Sequence, residues 1–194
     1  MSGFCGRWGL IFLLCGAITL GLTHAHAQGP AENAENKSAA QLIQEAYEAA
    51  KEADDFEKYD RIVKLCDEAL GKGPNDAGRK YLMTLSAWAL NRRGKELSNE
   101  AAKAKDASAA AELDARAMAD FQEALKRDPD KWQALHNRGV SYALLGEFDN
   151  AMADFNRTIE LNPKFANAWF NRGEIRYENG DYAEAVRDYS QAIQ

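Results

Sequence analysis

Two of the chain's four prolines, Pro129 and Pro163, stand 34 residues apart in nearly the same setting, "LKRDPDKW" and "IELNPKFA". Proline stops a helix because it lacks an N–H donor and its ring clashes with the preceding turn. A stop that recurs at this interval marks a helical unit too small to bury its own apolar face, so that neighbouring units must stack. Laying Trp132–Phe165 over Ala166–Gln194 at that spacing matches Gly139 with Gly173, Gly146 with Gly180 and Ala151 with Ala185. It also matches Asp154 with Asp188, Phe155 with Tyr189 and Ile159 with Ile193. Apolar residues elsewhere recur at helical spacing in segments too short and too regularly interrupted for a coiled coil, and none alternates as a strand does.

These residues resemble the tetratricopeptide repeat family. The family's small residue at motif position 8 is Gly139 or Gly173, its small residue at 20 is Ala151 or Ala185, and its aromatic at 24 is Phe155 or Tyr189. A small residue at 27 and Pro163 at 32 complete the pattern. The small side chains let helices approach closely and the rings fill the space between repeats. In "LGEFDNA" and "NGDYAEA" a glycine follows the first helix and Asp149 or Asp181 lies near the start of the second. The resemblance implies an all-α fold: a right-handed superhelical array of antiparallel helix pairs with a concave face lined by the first helix of each pair.

The same template finds a weaker copy at 43–76, with Ala50, Ile62, Cys66, Ala69 and Pro74 at positions 8, 20, 24, 27 and 32. Pro74 and Pro129 are 55 residues apart, one repeat plus 21 residues. Counting from Ala77 forwards and from Pro129 backwards puts that surplus inside the second repeat, 77–131, at its helix-to-helix turn. The segment "KELSNEAAKAKDASAAAELD" has no proline and is rich in strong helix formers. Shared between two helices, it predicts a hairpin projecting by roughly 15 Å, with Leu97, Ala101, Ala104, Ala110, Leu113 and Ala117 along its seam. Gly94, which costs about 1 kcal/mol inside a helix, is the alternative place for the turn. The array is therefore expected at 39–194, its last repeat, 166–194, incomplete.

At the start, Arg7, the apolar run from Gly9 to Leu22 and Ala25-His26-Ala27 form the three-part pattern of a secretory signal peptide cleaved after residue 27. The run of 14 residues is short of the ~20 that span a bilayer. Residues 28–38 read as a polar, disordered tether. Cleavage leaves Cys66 and His136 as the sole cysteine and histidine, and 23 basic against 30 acidic residues. One cysteine and one histidine supply neither an internal disulfide nor an ordinary zinc site. An acidic chain without a basic tract gives no support to nucleic-acid or lipid-surface binding. No nucleophile–base pair can be built around a single histidine, and no Gly-rich phosphate loop follows a strand. The chain thus reads as an exported, periplasmic or secreted protein that is not an enzyme and needs no cofactor or metal.

In the family, ligands are met chiefly at positions 2, 5, 6, 9, 12 and 13 of the first helix. Carried onto this chain, position 5 is Tyr47, Tyr81, His136 and Phe170, and position 12 includes Trp88 and Tyr177. Asn137 and Asn171 hold position 6, and Val140 and Glu174 position 9. The rings would form a stripe along the groove, and the amides can serve a peptide backbone or a neighbouring helix equally well. Chaperone-binding members clamp a C-terminal carboxylate with basic residues and asparagines at set places. Starting from the second repeat those places hold Tyr81, Leu85, Asn137, Asn167 and Asn171, so the clamp is absent and an apolar or aromatic ligand is expected. Arg138 and Arg172, at a position where the family usually has leucine, read as structural ion-pair partners of Asp154, Asp188 or Glu174. The expected partner is a protein or peptide; the alternative is an adaptor segment of a larger protein, or a homodimer through the C-terminal helix, since no polar capping helix follows Gln194.

Overall fold

The computed structural model describes residues 37–194. The expected signal peptide and residues 28–36 of the expected tether lie outside the described residues. Eight α-helices and no strand occur among the described residues: α1 (Ala39–Lys51), α2 (Phe56–Gly71), α3 (Asp76–Lys103), α4 (Ala107–Arg127), α5 (Trp132–Leu144), α6 (Phe148–Leu161), α7 (Ala166–Glu178) and α8 (Tyr182–Ala192).

The first four helices start on side-chain caps. Ser38 and Gln41 form a reciprocal capping box, Asp55 accepts from the Lys58 N–H at 2.9 Å, Asn75 from Gly78 at 2.8 Å and Asp106 from Ser108 at 2.8 Å. Each cap satisfies a donor that the helix cannot pair internally. The α5–α6 and α7–α8 turns reverse through Gly146 (φ 75°) and Gly180 (φ 85°), a left-handed conformation that only glycine adopts without strain.

Consecutive helices pack antiparallel in pairs, α1 on α2, α3 on α4, α5 on α6 and α7 on α8, and each pair packs on the next. The backbones of α1 and α3, of α3 and α5, and of α5 and α7 also pack directly, whereas no two second helices do so. The row of first helices is therefore the tighter row, and the array curves around it. Second helices are bridged by reach instead, as where Arg127 of α4 extends to Asp67 of α2 at 2.7 Å.

Three glycines set the spacing within pairs. A Cβ on Gly139 would lie 2.8 Å from Phe155 Cε1, and one on Gly173 would lie 2.8 Å from Tyr189 Cε1. Gly94 has the same environment: its Cβ would lie 2.7 Å from Phe121 Cε1. Gly94 is thus neither a turn nor a defect but the close-approach residue of the second pair, buried in mid-helix. This corrects the numbering of that repeat. Gly94 precedes Ala117 by 23 residues, where Gly139 precedes Ala151 and Gly173 precedes Ala185 by 12. About half of the 21 surplus residues therefore lengthen the start of α3, where it packs on α1 and α2. The remainder extends the far ends of α3 and α4, which turn at Ala104–Asp106. There α3 runs one turn further past its glycine than α5 does, and α4 starts about two turns earlier relative to its alanine than α6 does.

The main core runs from α1 to α5 and includes Leu42, Tyr59, Ile62, Leu82, Leu90 and Leu135. A second cluster joins Leu97, Ala117 and Phe121, with Phe56 and Leu113 against it, and a third joins Ala151, Phe155 and Ile175. Cys66 is fully buried and burial pushes its thiol up to about 12, which makes it a packing residue.

Candidate functional site: the first-helix face

Within each of the last three pairs, an arginine one residue before the glycine forks onto an aspartate of the second helix. Arg93 meets Asp120 at 2.8 and 2.6 Å, Arg138 meets Asp154 at 2.8 and 2.8 Å, and Arg172 meets Asp188 at 2.8 and 2.7 Å. The Asp154 and Asp188 side chains are only 7% and 2% exposed. Breaking the Arg138 fork would strand the buried Asp154 carboxylate, at a cost of about 3–5 kcal/mol rather than the 0–1 kcal/mol of a surface pair, whereas Asp188 keeps a second partner in Arg176 at 2.8 Å. The arginines fix how the first helix rests on the second, and with it the direction in which the first helix's outward side chains point.

On that face, a chain of hydrogen bonds links three first helices. Asn171 Nδ2 of α7 donates to His136 Nε2 at 3.1 Å. The tautomer this requires carries its proton on Nδ1, which lies 3.4 Å from Asn137 Oδ1. Asn137 Nδ2 in turn donates to Asn91 Oδ1 of α3 at 2.9 Å. The asparagines at position 6 therefore serve neighbouring helices, each bonding position 5 of the preceding repeat. His136 also packs on Phe165 at 4.8 Å and on Phe155 at 5.8 Å. Burial holds its imidazole below the usual range, and the nearby Lys95 charge adds to this against the opposing Asn137 bond.

The expected position-5 stripe is not continuous. Because Gly94 sets the second repeat, Asn91 and not Tyr81 stands level with His136 and Phe170. Tyr81 lies in the added start of α3, partly exposed. Tyr47 is exposed on α1 beneath the Lys51 ammonium, 4.4 Å from its ring centroid. Trp88 moves from position 12 to position 2 and sets its edge on Tyr59 at 5.6 Å. Phe170 and Tyr177 are exposed on α7 beside Glu174 and Tyr189, around a shallow hollow of their own.

Two concavities interrupt the face in line. One, of about 320 Å³ between α5 and α7, has Val140, Ala143, Leu144 and Phe148 as an apolar floor and Asn171, Glu174 and Glu178 on its far wall. The other, of about 260 Å³ between α3 and α5, is floored by Trp88 and Trp132 and bordered by Arg92, Lys95 and Lys131. Val140, Asn171 and Glu174 meet in the first, and Trp88, His136 and Asn137 in the second. Asn91, Arg92, Lys95, Lys131 and Gln133 were not expected there. The signal for the α3 residues was present: "NRRG" before Gly94 repeats the "HNRG" and "FNRG" before Gly139 and Gly173. In the corrected numbering Asn91, Lys95 and Asn137 fall at clamp places, but the third repeat's two basic places still hold Asn167 and Asn171. No group of three or more His, Cys, Asp or Glu side chains suited to a metal occurs among the described residues.

No curated protein matches the chain. Among solved structures, the chain is similar to a thermophilic TPR protein from Thermus thermophilus, at 17% identity and TM-score 0.49, over 80% of this chain and 90% of that one. It is similar to a tetratricopeptide repeat protein from Parabacteroides merdae at 22% identity and TM-score 0.49, over 80% of this chain and 52% of that one. It is also similar to MamA from Desulfovibrio magneticus RS-1 at 15% identity and TM-score 0.45, over 80% and 74% of the two chains. The tetratricopeptide repeat family model matches residues 132–165 and 166–194, the two units with 34-residue spacing and matching Arg–Asp forks. The chain thus carries tetratricopeptide repeats at residues 132–165 and 166–194.

Proposed function

We propose that the protein is an exported, non-catalytic interaction scaffold that holds an extended peptide, or such a segment of a partner protein, along its first-helix face. The observation that carries this is the pair of aligned concavities on the inner row, floored by half-buried rings and apolar side chains and held in place by a satisfied polar chain. Sites of this kind combine apolar floor with a few fixed polar groups. Export rests on the N-terminal signal pattern, and N-terminal sequencing that begins at Gln28 would support it. Leu144 and Phe170 are both exposed on this face, so Leu144→Glu with Phe170→Ala is expected to abolish capture of the protein's own partner while leaving its helical circular dichroism unchanged. Undiminished capture by that variant overturns the reading.

A second reading, an adaptor or homodimer joined through α7 and α8, is favoured by the exposed Tyr177, Tyr182, Val186 and Ile193. A mass that rises to twice the monomer with concentration supports it, and a constant monomer mass removes it.

A further inference from the structure

We infer that the concavity between α3 and α5 is a carboxylate site that takes an Asp or Glu side chain of the extended peptide. This rests on the groove reading above and adds the chemistry of one subsite. The chain is acidic, with 30 carboxylate residues against 24 basic ones, yet no Asp or Glu lines this concavity. Three cations converge on it from α3 and the turn before α5: Arg92, Lys95 and Lys131. None of them makes an ion pair among the described residues. Arg92 Nε donates to Tyr59 Oη at 3.1 Å, which anchors the guanidinium and leaves its terminal nitrogens available.

Lys131 argues against a merely structural role. It is half-buried, and burial pulls its ammonium below the ordinary lysine range, opposed only by the Asp128 charge. An ammonium withdrawn from water without a partner disfavours the folded state. A chain with acids to spare could have paired it and does not. A carboxylate entering between Lys95, Lys131 and Arg92 would supply the missing counter-charge, with Asn91, Gln133 and Asn137 amides beside it and the two indoles beneath its methylenes. In the register that puts Asn91, Lys95 and Asn137 at clamp places, Arg92 and Lys131 stand outside the family's C-terminal clamp, and its two basic places in the third repeat hold Asn167 and Asn171. The concavity also lies inside the groove, which continues across α5 into the next one, so a side chain fits better than a chain end.

That continuation sets the ligand's order. The α5–α7 concavity has an apolar floor and an acidic wall, Glu174 and Glu178, so it selects against a second acid. Neighbouring helices lie about 10 Å apart, and an extended chain advances ~3.3 Å per residue. The peptide should therefore carry its acid about three residues from an apolar one.

The test is selection from a random-peptide display library on the purified protein, followed by binding measurements on a selected peptide blocked at both ends. The expected result is enrichment of Asp or Glu with an apolar residue about three positions away. Affinity should fall at least tenfold when that acid becomes Gln, and likewise in Lys95→Glu/Lys131→Glu. Lys131→Met should bind the peptide more weakly while melting at the same temperature or higher, which a structural lysine would not allow. Enriched peptides without acids, binding that needs a free C-terminus, or indifference to the lysine substitutions overturns the carboxylate site and leaves the groove reading intact. Absence of any enriched peptide, together with undiminished partner capture by Leu144→Glu/Phe170→Ala, overturns both.

Discussion

His136 is the one histidine between residues 28 and 194, which makes its contribution to pH dependence separable. Its half-buried ring accepts from Asn171 at Nε2, so protonation there would set two donors against each other. A histidine whose folded pKa lies below its unfolded value leaves the unfolded chain holding more protons in the interval between them. Stability is then fully present above about pH 6.5 and is lost as the pH falls from there through the lower, folded value. The carboxylates with lowered pKa, Asp54, Asp60 and Glu123, act at lower pH. Urea unfolding from pH 5 to 8 should show stability rising with pH in the wild type and a flat profile over that window in His136→Gln. A slope unchanged by the substitution would show that another group is responsible. His136 also shows where reading residues singly stops. Its motif position was evident in the sequence, but Asn91, which stands level with it on α3 and accepts from Asn137, lay ten residues from the residue that counting placed beside it.

The reason for that offset belongs to the elements. The repeats at 132–165 and 166–194 were legible because proline, glycine and the Asp-aromatic pair all keep one spacing. The second pair was not, because counting from Pro74 assumed that the surplus began after the first helix. Helix formers extend α3 at both ends without leaving any break in the pattern, and the register is fixed by the contact of Gly94 with Phe121 and by the Arg93–Asp120 fork. In an ordinary helix Gly94→Ala would gain about 1 kcal/mol. Here the methyl would press on a buried ring at 2.7 Å, and overpacking costs about 1–3 kcal/mol. The two terms oppose each other, so substitution at Gly94 is a weak probe and segment exchange is the better one. Replacing Glu96–Arg116 by Ser141–Asn150 leaves Lys95 in place and restores the 12-residue spacing between glycine and alanine. The chimera is expected to unfold cooperatively with reduced helix content and with partner capture retained. Loss of cooperative unfolding would make the far ends of α3 and α4 integral to the second core cluster, and loss of capture alone would make them part of the binding surface.

Among the described residues, backbones pack only between successive helices and along the row of first helices. Stability in such an array is the sum of local units and their nearest-neighbour interfaces, so it is not shared evenly. Nine residues of α3 are buried, against two of α8, Ala185 and Asp188. Asp188 contributes through Arg172 and Arg176, at 2.7 and 2.8 Å, rather than through apolar area. Local opening should therefore be easiest at α8 and hardest where α3 crosses α4 near Phe121. Native-state hydrogen exchange read by mass spectrometry should find amides of Tyr182–Ala192 exchanging at least a hundredfold faster than those of Ala117–Leu125. The same measurement separates the two binding surfaces. A peptide in the groove adds contacts to α3, α5 and α7 and should slow exchange there, because binding stabilises the folded form of what it touches. A partner on the α7–α8 face should instead slow α8 and leave α3 unchanged. Uniform protection of all eight helices on binding would contradict the nearest-neighbour picture, since it requires the array to open as one unit.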